Sequence, residues 1–131
     1  RQRLISLTEA GRFDDVCGAL WSKLVAPARQ HDTALRNRVD AMAANIGPRS
    51  FIRQERAIMG RRDHRARLPE IMIPVLVIVG DEDALTPPAL SQEMAELLPQ
   101  ATLGIIPDCG HLATMERPDA VNRALAAWLG T

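Results

Sequence analysis

Along the first 67 residues, apolar side chains recur three and four positions apart: Leu4 and Leu7, then Val16, Leu20 and Leu24, then Leu35, Val39, Met42 and Ile46. That spacing lays one apolar stripe on each of several helices, because an α-helix turns once in about 3.6 residues. The stripes are interrupted at Gly11, at Pro27, at Gly47-Pro48 and at Gly60. Each of these either tolerates positive φ or cannot continue a helix. The pattern predicts a small helical layer over residues 1–67, with Phe51, Ile52, Ile58 and Met59 in its last member.

After Pro69 the rhythm changes. Pro74-Val75-Leu76-Val77-Ile78-Val79 is a continuous, β-branched apolar run that ends in Gly80, the signature of a strand buried on both faces of a parallel sheet. Thr86-Pro87-Pro88 then offers an N-cap with prolines in the first turn, and Leu90, Met94, Leu97 and Leu98 form a stripe behind it, stopping near Pro99. Thr102-Leu103-Gly104-Ile105-Ile106 reads as a second strand, closed by the turn Pro107-Asp108-Cys109-Gly110. From Pro118, Val121, Leu125, Trp128 and Leu129 return at helical spacing. Residues 68–131 therefore read as strand, helix, strand, helix, with a right-handed first crossover expected.

Composition narrows what such a chain does. Its 131 residues, 47% of them hydrophobic and 24% charged, suit one ordinary domain. Sixteen basic and sixteen acidic side chains cancel, which removes any whole-molecule attraction to nucleic acid or an anionic membrane. One basic stretch remains, Arg53, Arg56, Arg61, Arg62, Arg65 and Arg67, but Glu55, Asp63 and Glu70 interleave and no aromatic side chain sits among the arginines. A solvated helix face with local ion pairs accounts for it, and no nucleic-acid partner is expected. The longest apolar run, Ile71 to Val79, is broken by Pro74 and falls short of the roughly 20 residues that span a bilayer, so no membrane partner is expected either. Two cysteines, Cys17 and Cys109, lie too far apart for a zinc motif or a disulfide framework, and no metal is expected. The chain begins Arg-Gln-Arg and shows no targeting signal, from which an upstream piece and a cytoplasmic location are expected.

In an open parallel sheet, functional side chains gather on the loops beyond the carboxyl ends of the strands. Two such loops exist here, Gly80-Asp81-Glu82-Asp83-Ala84-Leu85-Thr86-Pro87 and Pro107-Asp108-Cys109-Gly110-His111-Leu112. Adjacent parallel strands bring them to one edge and set a carboxylate beside an imidazole. Asp83 and His111 stand in the chain order of an acid and a base that serve a nucleophile, though Asp81 and Glu82 compete for the acid's place.

Gly-x-x-Asp-x-x-Thr-Pro after a buried strand, with Gly110-His111 and Glu116-Arg117-Pro118 before the last helix, resembles the C-terminal end of the α/β-hydrolase fold, close to carboxylesterase and enol-lactonase relatives. The resemblance is strong from about Leu68 to Leu129 and weaker over residues 1–67, which look like the helical cap of that family. It implies an α/β fold in part only: cap helices followed by a β-α-β-α portion with two parallel strands. It further implies that His111 is the general base and that Asp83 orients it; Asp81 is held back as a helix or turn cap, and Asp108 reads as serving the turn itself. Trp21, Phe51, Leu85 and Leu112 are then candidates to line the substrate pocket, the substrate being a small carboxylic ester, lactone or thioester. No organic cofactor is implied. Haloalkane and epoxide hydrolases of the same fold keep the acid and the histidine and replace the serine by Asp.

The family's nucleophile sits in a Gly-x-Ser-x-Gly turn, and none of Ser6, Ser22, Ser50 and Ser91 has that context. The chain alone is therefore expected to be inactive. Cys109 reads as a small buried residue, since free Cys commonly packs as an apolar group. An edge of the first strand left open would be an association hazard, so the expected partner is a polypeptide carrying the front half of the fold, or a second copy of the chain. The rival class is a non-catalytic interaction module.

Overall fold

The computed structural model describes residues 1–130, which divide into two units, 1–22 with 31–62 and 23–30 with 63–130. The first unit is helical: α1 (Gln2–Glu9), α2 (Phe13–Leu24, whose last two residues join the second unit) and α3 (Thr33–Met59). Asp14 and Asp15 place negative charge in the first turn of α2, where the helix dipole favours it. Asp32 caps α3 by accepting the Leu35 N–H at 2.9 Å. Ile5, Val16, Trp21 and Leu35 are the buried apolar side chains, and the rings of Phe13 and Phe51 meet at 5.3 Å. Within α1 the deepest positions are Ile5 and Thr8 rather than the Leu4 and Leu7 of the predicted stripe. The break expected at Gly47-Pro48 is a kink inside α3, where Gly47 takes φ 72° and ψ 163°.

The second unit carries the sheet: β1 (Val75–Gly80) and β2 (Ala101–Ile106), parallel and paired from Val75 with Ala101 to Gly80 with Ile106. Helix α4 (Pro88–Leu97) links the strands, and α5 (Ala113–Glu116) and α6 (Pro118–Leu129) follow β2. Ile106, Cys109 and Val121 form a buried cluster, with Ile78, Ala113 and Ala120 packed against it. Gly130, in the left-handed conformation, ends α6.

The strands form where the apolar runs predict them, but β1 is less covered than its composition implies. Val77, Val79 and Gly80 are buried, whereas Val75, Leu76 and Ile78 are half-buried. In the two-stranded sheet among the described residues, each strand has one neighbour. The helical stripes show the same thing: Leu98 and Val121 are buried, while Leu90, Met94, Leu125 and Trp128 are exposed.

Thr86 is not the N-cap of α4. Pro87, whose ring carries no hydrogen-bonding group, occupies that position, and the Thr86 hydroxyl is engaged with Asp83 instead. Residues 23–30, helical in pattern, pack with the second unit, where Leu24 O accepts the Leu112 N–H at 3.1 Å. Within the basic stretch, Arg65 pairs with neighbouring Asp63 and Arg67 with Glu70, while Arg56 meets the distant Glu9 in the first unit and Arg65 the distant Glu93 in the second.

Candidate functional site

Because β1 and β2 end level, at Gly80 opposite Ile106, the loops that leave them emerge side by side. Their backbones are knitted together at once. Asp81 N–H donates to Ile106 O at 3.0 Å and Glu82 N–H to Cys109 O at 2.9 Å. The approach is so close that a Cβ on Gly80 would collide with the carbonyl oxygens of Cys109 and Gly110. That is why the strand must end in glycine. The second loop turns through Asp108, whose φ of 50° is left-handed, and Arg117 Nε donates to the Asp108 carbonyl at 3.1 Å.

Three acids stand on the first loop, and geometry separates them. Asp81 and Glu82 are exposed, and Asp81 accepts the Cys109 N–H at 3.2 Å, serving the turn. Asp83 is 6% exposed and faces the imidazole, with His111 Nδ1 2.8 Å from its Oδ2. The same Oδ2 accepts the Thr86 hydroxyl at 2.8 Å, while Oδ1 accepts the N–H groups of Leu85 and Thr86, each at 2.8 Å. Burial alone would raise the Asp83 carboxyl. The hydrogen bonds from Thr86 N–H, His111, the Thr86 hydroxyl and Leu85 N–H together outweigh it, and the carboxyl titrates below its ordinary value. An ionised Asp83 is acceptor-only, so it fixes the Nδ1 proton on His111 and leaves Nε2 as the basic nitrogen. A buried carboxylate of this kind orients an imidazole and stabilises it when Nε2 gains a proton.

Of the predicted pocket residues, Trp21 and Phe51 belong to the first unit. Trp21 is buried there with the Arg36 guanidinium 5.2 Å from its ring, and the Phe51 ring packs against that of Phe13 in a tilted pair. Leu85 and Leu112 lie beside the acid and the base in the second unit and are half-buried. Cys109 is fully buried, and burial, with the Glu116 charge adding to it, pushes its thiol up to about 11. It is a packing residue, not a nucleophile. His31 and His64 are exposed.

Two residues at this site carry more than their sequence context suggested. Thr86 closes the acid loop onto Asp83, and the Asp-x-x-Thr spacing is the local signal for such a turn. Glu116 is 3% exposed and accepts main-chain N–H groups from Gly110 at 3.0 Å and from Ala26 at 2.8 Å. The second contact spans 90 residues, a separation that no local pattern signals.

Comparison with known proteins gives this geometry its family. The family described as the alpha/beta hydrolase fold matches residues 10–118. The chain belongs to the α/β-hydrolase fold family. This α/β-hydrolase chain is 33% identical over 117 residues to a 2-hydroxy-6-oxononadienedioate/2-hydroxy-6-oxononatrienedioate hydrolase of Cupriavidus pinatubonensis, covering 89% of this chain and 35% of that protein. A Mycobacterium tuberculosis protein bearing the name non-heme bromoperoxidase BpoC is 50% identical over 62 residues, 45% of this chain and 24% of that one. Among solved structures, a thermophilic esterase from Thermogutta terrifontis superposes with a TM-score of 0.89 at 26% identity, covering 98% of this chain and 47% of its own. The α/β-hydrolase chain thus spans about half of that esterase and a quarter to a third of the two relatives. Among the described residues, no helix is long and apolar enough to cross a membrane.

Proposed function

We propose that this chain supplies the acid and the base of a serine-hydrolase triad acting on a small carboxylic ester, lactone or thioester, and that it is catalytically silent by itself. The observation that carries the reading is the buried Asp83 carboxylate, saturated by hydrogen bonds and 2.8 Å from His111 Nδ1. In the assembled enzyme, His111 Nε2 takes the proton of a serine hydroxyl as that oxygen attacks the acyl carbon. It then returns the proton to the leaving alcohol or thiol as the tetrahedral intermediate collapses. Water repeats the sequence on the acyl-enzyme and frees the acid. Asp83 holds the imidazole in the productive tautomer throughout.

The places of its serines support the proposed silence of the chain alone. Ser6, Ser22, Ser50 and Ser91 all sit inside helices, in α1, α2, α3 and α4. A nucleophile elbow is instead a tight strand-to-helix turn between glycines. The proposed partner is a polypeptide that adds strands beside β1 and brings that turn, with a second copy of the chain as the alternative cover for the same surface. Leu85 and Leu112 are proposed to meet the acyl group beside the dyad.

The test is a fluorophosphonate probe and a p-nitrophenyl ester, applied first to the chain alone and then with a front-half polypeptide of an α/β hydrolase added. The chain alone should neither label nor turn over ester. With the front half present, label should appear on the added polypeptide, and His111→Ala should lower turnover on the order of a thousandfold. Labelling of the isolated chain would sink the claim of silence. A front half that binds but never gains a His111-dependent activity would favour the non-catalytic interaction module.

A further inference from the structure

In the second unit, the dyad leaves a buried carboxyl unused, that of Glu116 at the end of α5. A carboxylate is costly to bury unless each oxygen finds a donor. Here both do, and both donors are main-chain: Oε1 accepts Gly110 N–H at 3.0 Å and Oε2 accepts Ala26 N–H at 2.8 Å. Gly110 is the residue before His111. On the other side of the histidine, Leu112 N–H donates to Leu24 O at 3.1 Å. The main chain flanking His111 is thus tied at two points to the segment Leu24–Ala26. Gly110 itself lies so close to Val25 and Ala26 that a Cβ there would collide with their backbone.

We infer that Glu116 is a positioning residue for His111: its carboxylate bridges two backbone segments and so fixes the point from which the imidazole reaches Asp83. The catalytic meaning of this bridge rests on the reading of His111 as the base, but the bridge itself does not. The chemistry selects Glu over its closest isostere. A carboxylate accepts at both oxygens, whereas a Gln amide offers one acceptor and turns an NH2 toward the remaining N–H, setting donor against donor. Glu116→Gln should therefore keep the volume of the side chain and lose one of the two ties. No sequence-local signal links Glu116 to Ala26, and the Leu24–Ala26 segment has no other evident part in the dyad.

The experiment is NMR on the full 131-residue chain with labelled histidine, following amide exchange and the imidazole Nδ1 proton. In the unsubstituted chain, the Ala26 and Gly110 amides should exchange at least about a hundredfold more slowly than open loop amides, although neither belongs to a helix or strand ladder. Glu116→Gln should abolish that protection at one or both and broaden the His111 Nδ1 proton beyond detection. The Leu85 and Thr86 amides, which are held by Asp83, should remain protected, showing that the acid loop is intact. An unchanged Nδ1 proton in folded Glu116→Gln overturns the inference. Free exchange of Ala26 and Gly110 in the unsubstituted chain overturns it too, and needs no variant to fold. If the unsubstituted chain lacks a hydrogen-bonded Nδ1 proton altogether, the Asp83–His111 reading itself fails, a result visible before any substitution is made.

Discussion

At the scale of single residues, the acid of the dyad is set by what surrounds it. Thr86 contributes twice, through its N–H and its hydroxyl, and the hydroxyl shares Asp83 Oδ2 with the imidazole. Thr86→Val keeps the shape and removes that donor from a buried, charged acceptor, which should cost about 1–2 kcal/mol and lower the urea midpoint. Thr86→Ser should recover most of the loss, and a Val variant as stable as the parent would show that the hydroxyl is dispensable. Asp83 also makes stability depend on acid. Its folded value lies below the ordinary 3.8, so its contribution is complete above that value and disappears as pH falls through the lower folded one. Asp83→Asn should flatten this part of the acid unfolding curve, and a curve of unchanged shape would place the sensitivity elsewhere. How much of this was legible in the sequence depends on the separation of the partners. Asp83 and His111 were legible because each follows a strand and parallel strands end together. Glu116 was not, since its partner Ala26 is distant in sequence and its bonds come from main-chain N–H groups, which every residue but proline has.

At the scale of elements, the glycines show which close approaches the fold requires. Gly80 and Gly104 are both strand glycines. A Cβ on Gly80 meets the Cys109 and Gly110 carbonyls, while one on Gly104 meets only Ile78 Cγ1 at 3.7 Å and Val77 O at 3.8 Å, ordinary contacts. Gly80→Ala should destabilise the chain by about 1–3 kcal/mol through forced separation of the loops. Gly104→Ala should be neutral or stabilising by up to about 1 kcal/mol, because alanine loses less backbone freedom on folding. Thermal unfolding of the two variants decides it, and equal midpoints would remove the steric account of the acid loop. Punctuation and period made the elements themselves readable: the β-branched run gave β1, and the kink in α3 falls at Gly47-Pro48 as expected. Exposure along a stripe was less readable. Leu90 and Met94 have the spacing of a buried face, but periodicity states only which side chains share a face, not whether anything covers it.

At the scale of the whole chain, the same uncovered faces bear on how it behaves in water. Ile71, Met72 and Ile73 form an exposed apolar run leading into β1, with Ile73 68% exposed, and β1 has one hydrogen-bonded neighbour among the described residues. A two-stranded sheet is marginal in water, and an open edge with apolar flanks is a template for another strand. The proposed partnership therefore has a measurable consequence before any chemistry is tested. Light scattering on the purified chain should give at least twice its 14.4 kDa at micromolar concentration, and adding a front-half polypeptide should replace that species by a one-to-one complex. Met72→Lys with Ile73→Lys should shift the chain toward monomer, since burying two lysines in an association face is unfavourable while exposing them is not. Each outcome separates two physical situations. A chain that remains at 14.4 kDa with or without these substitutions holds its apolar surface stably against water, and the association proposal falls. A chain that associates but is indifferent to the lysines associates elsewhere, leaving the open side of β1 as the surface to alter next.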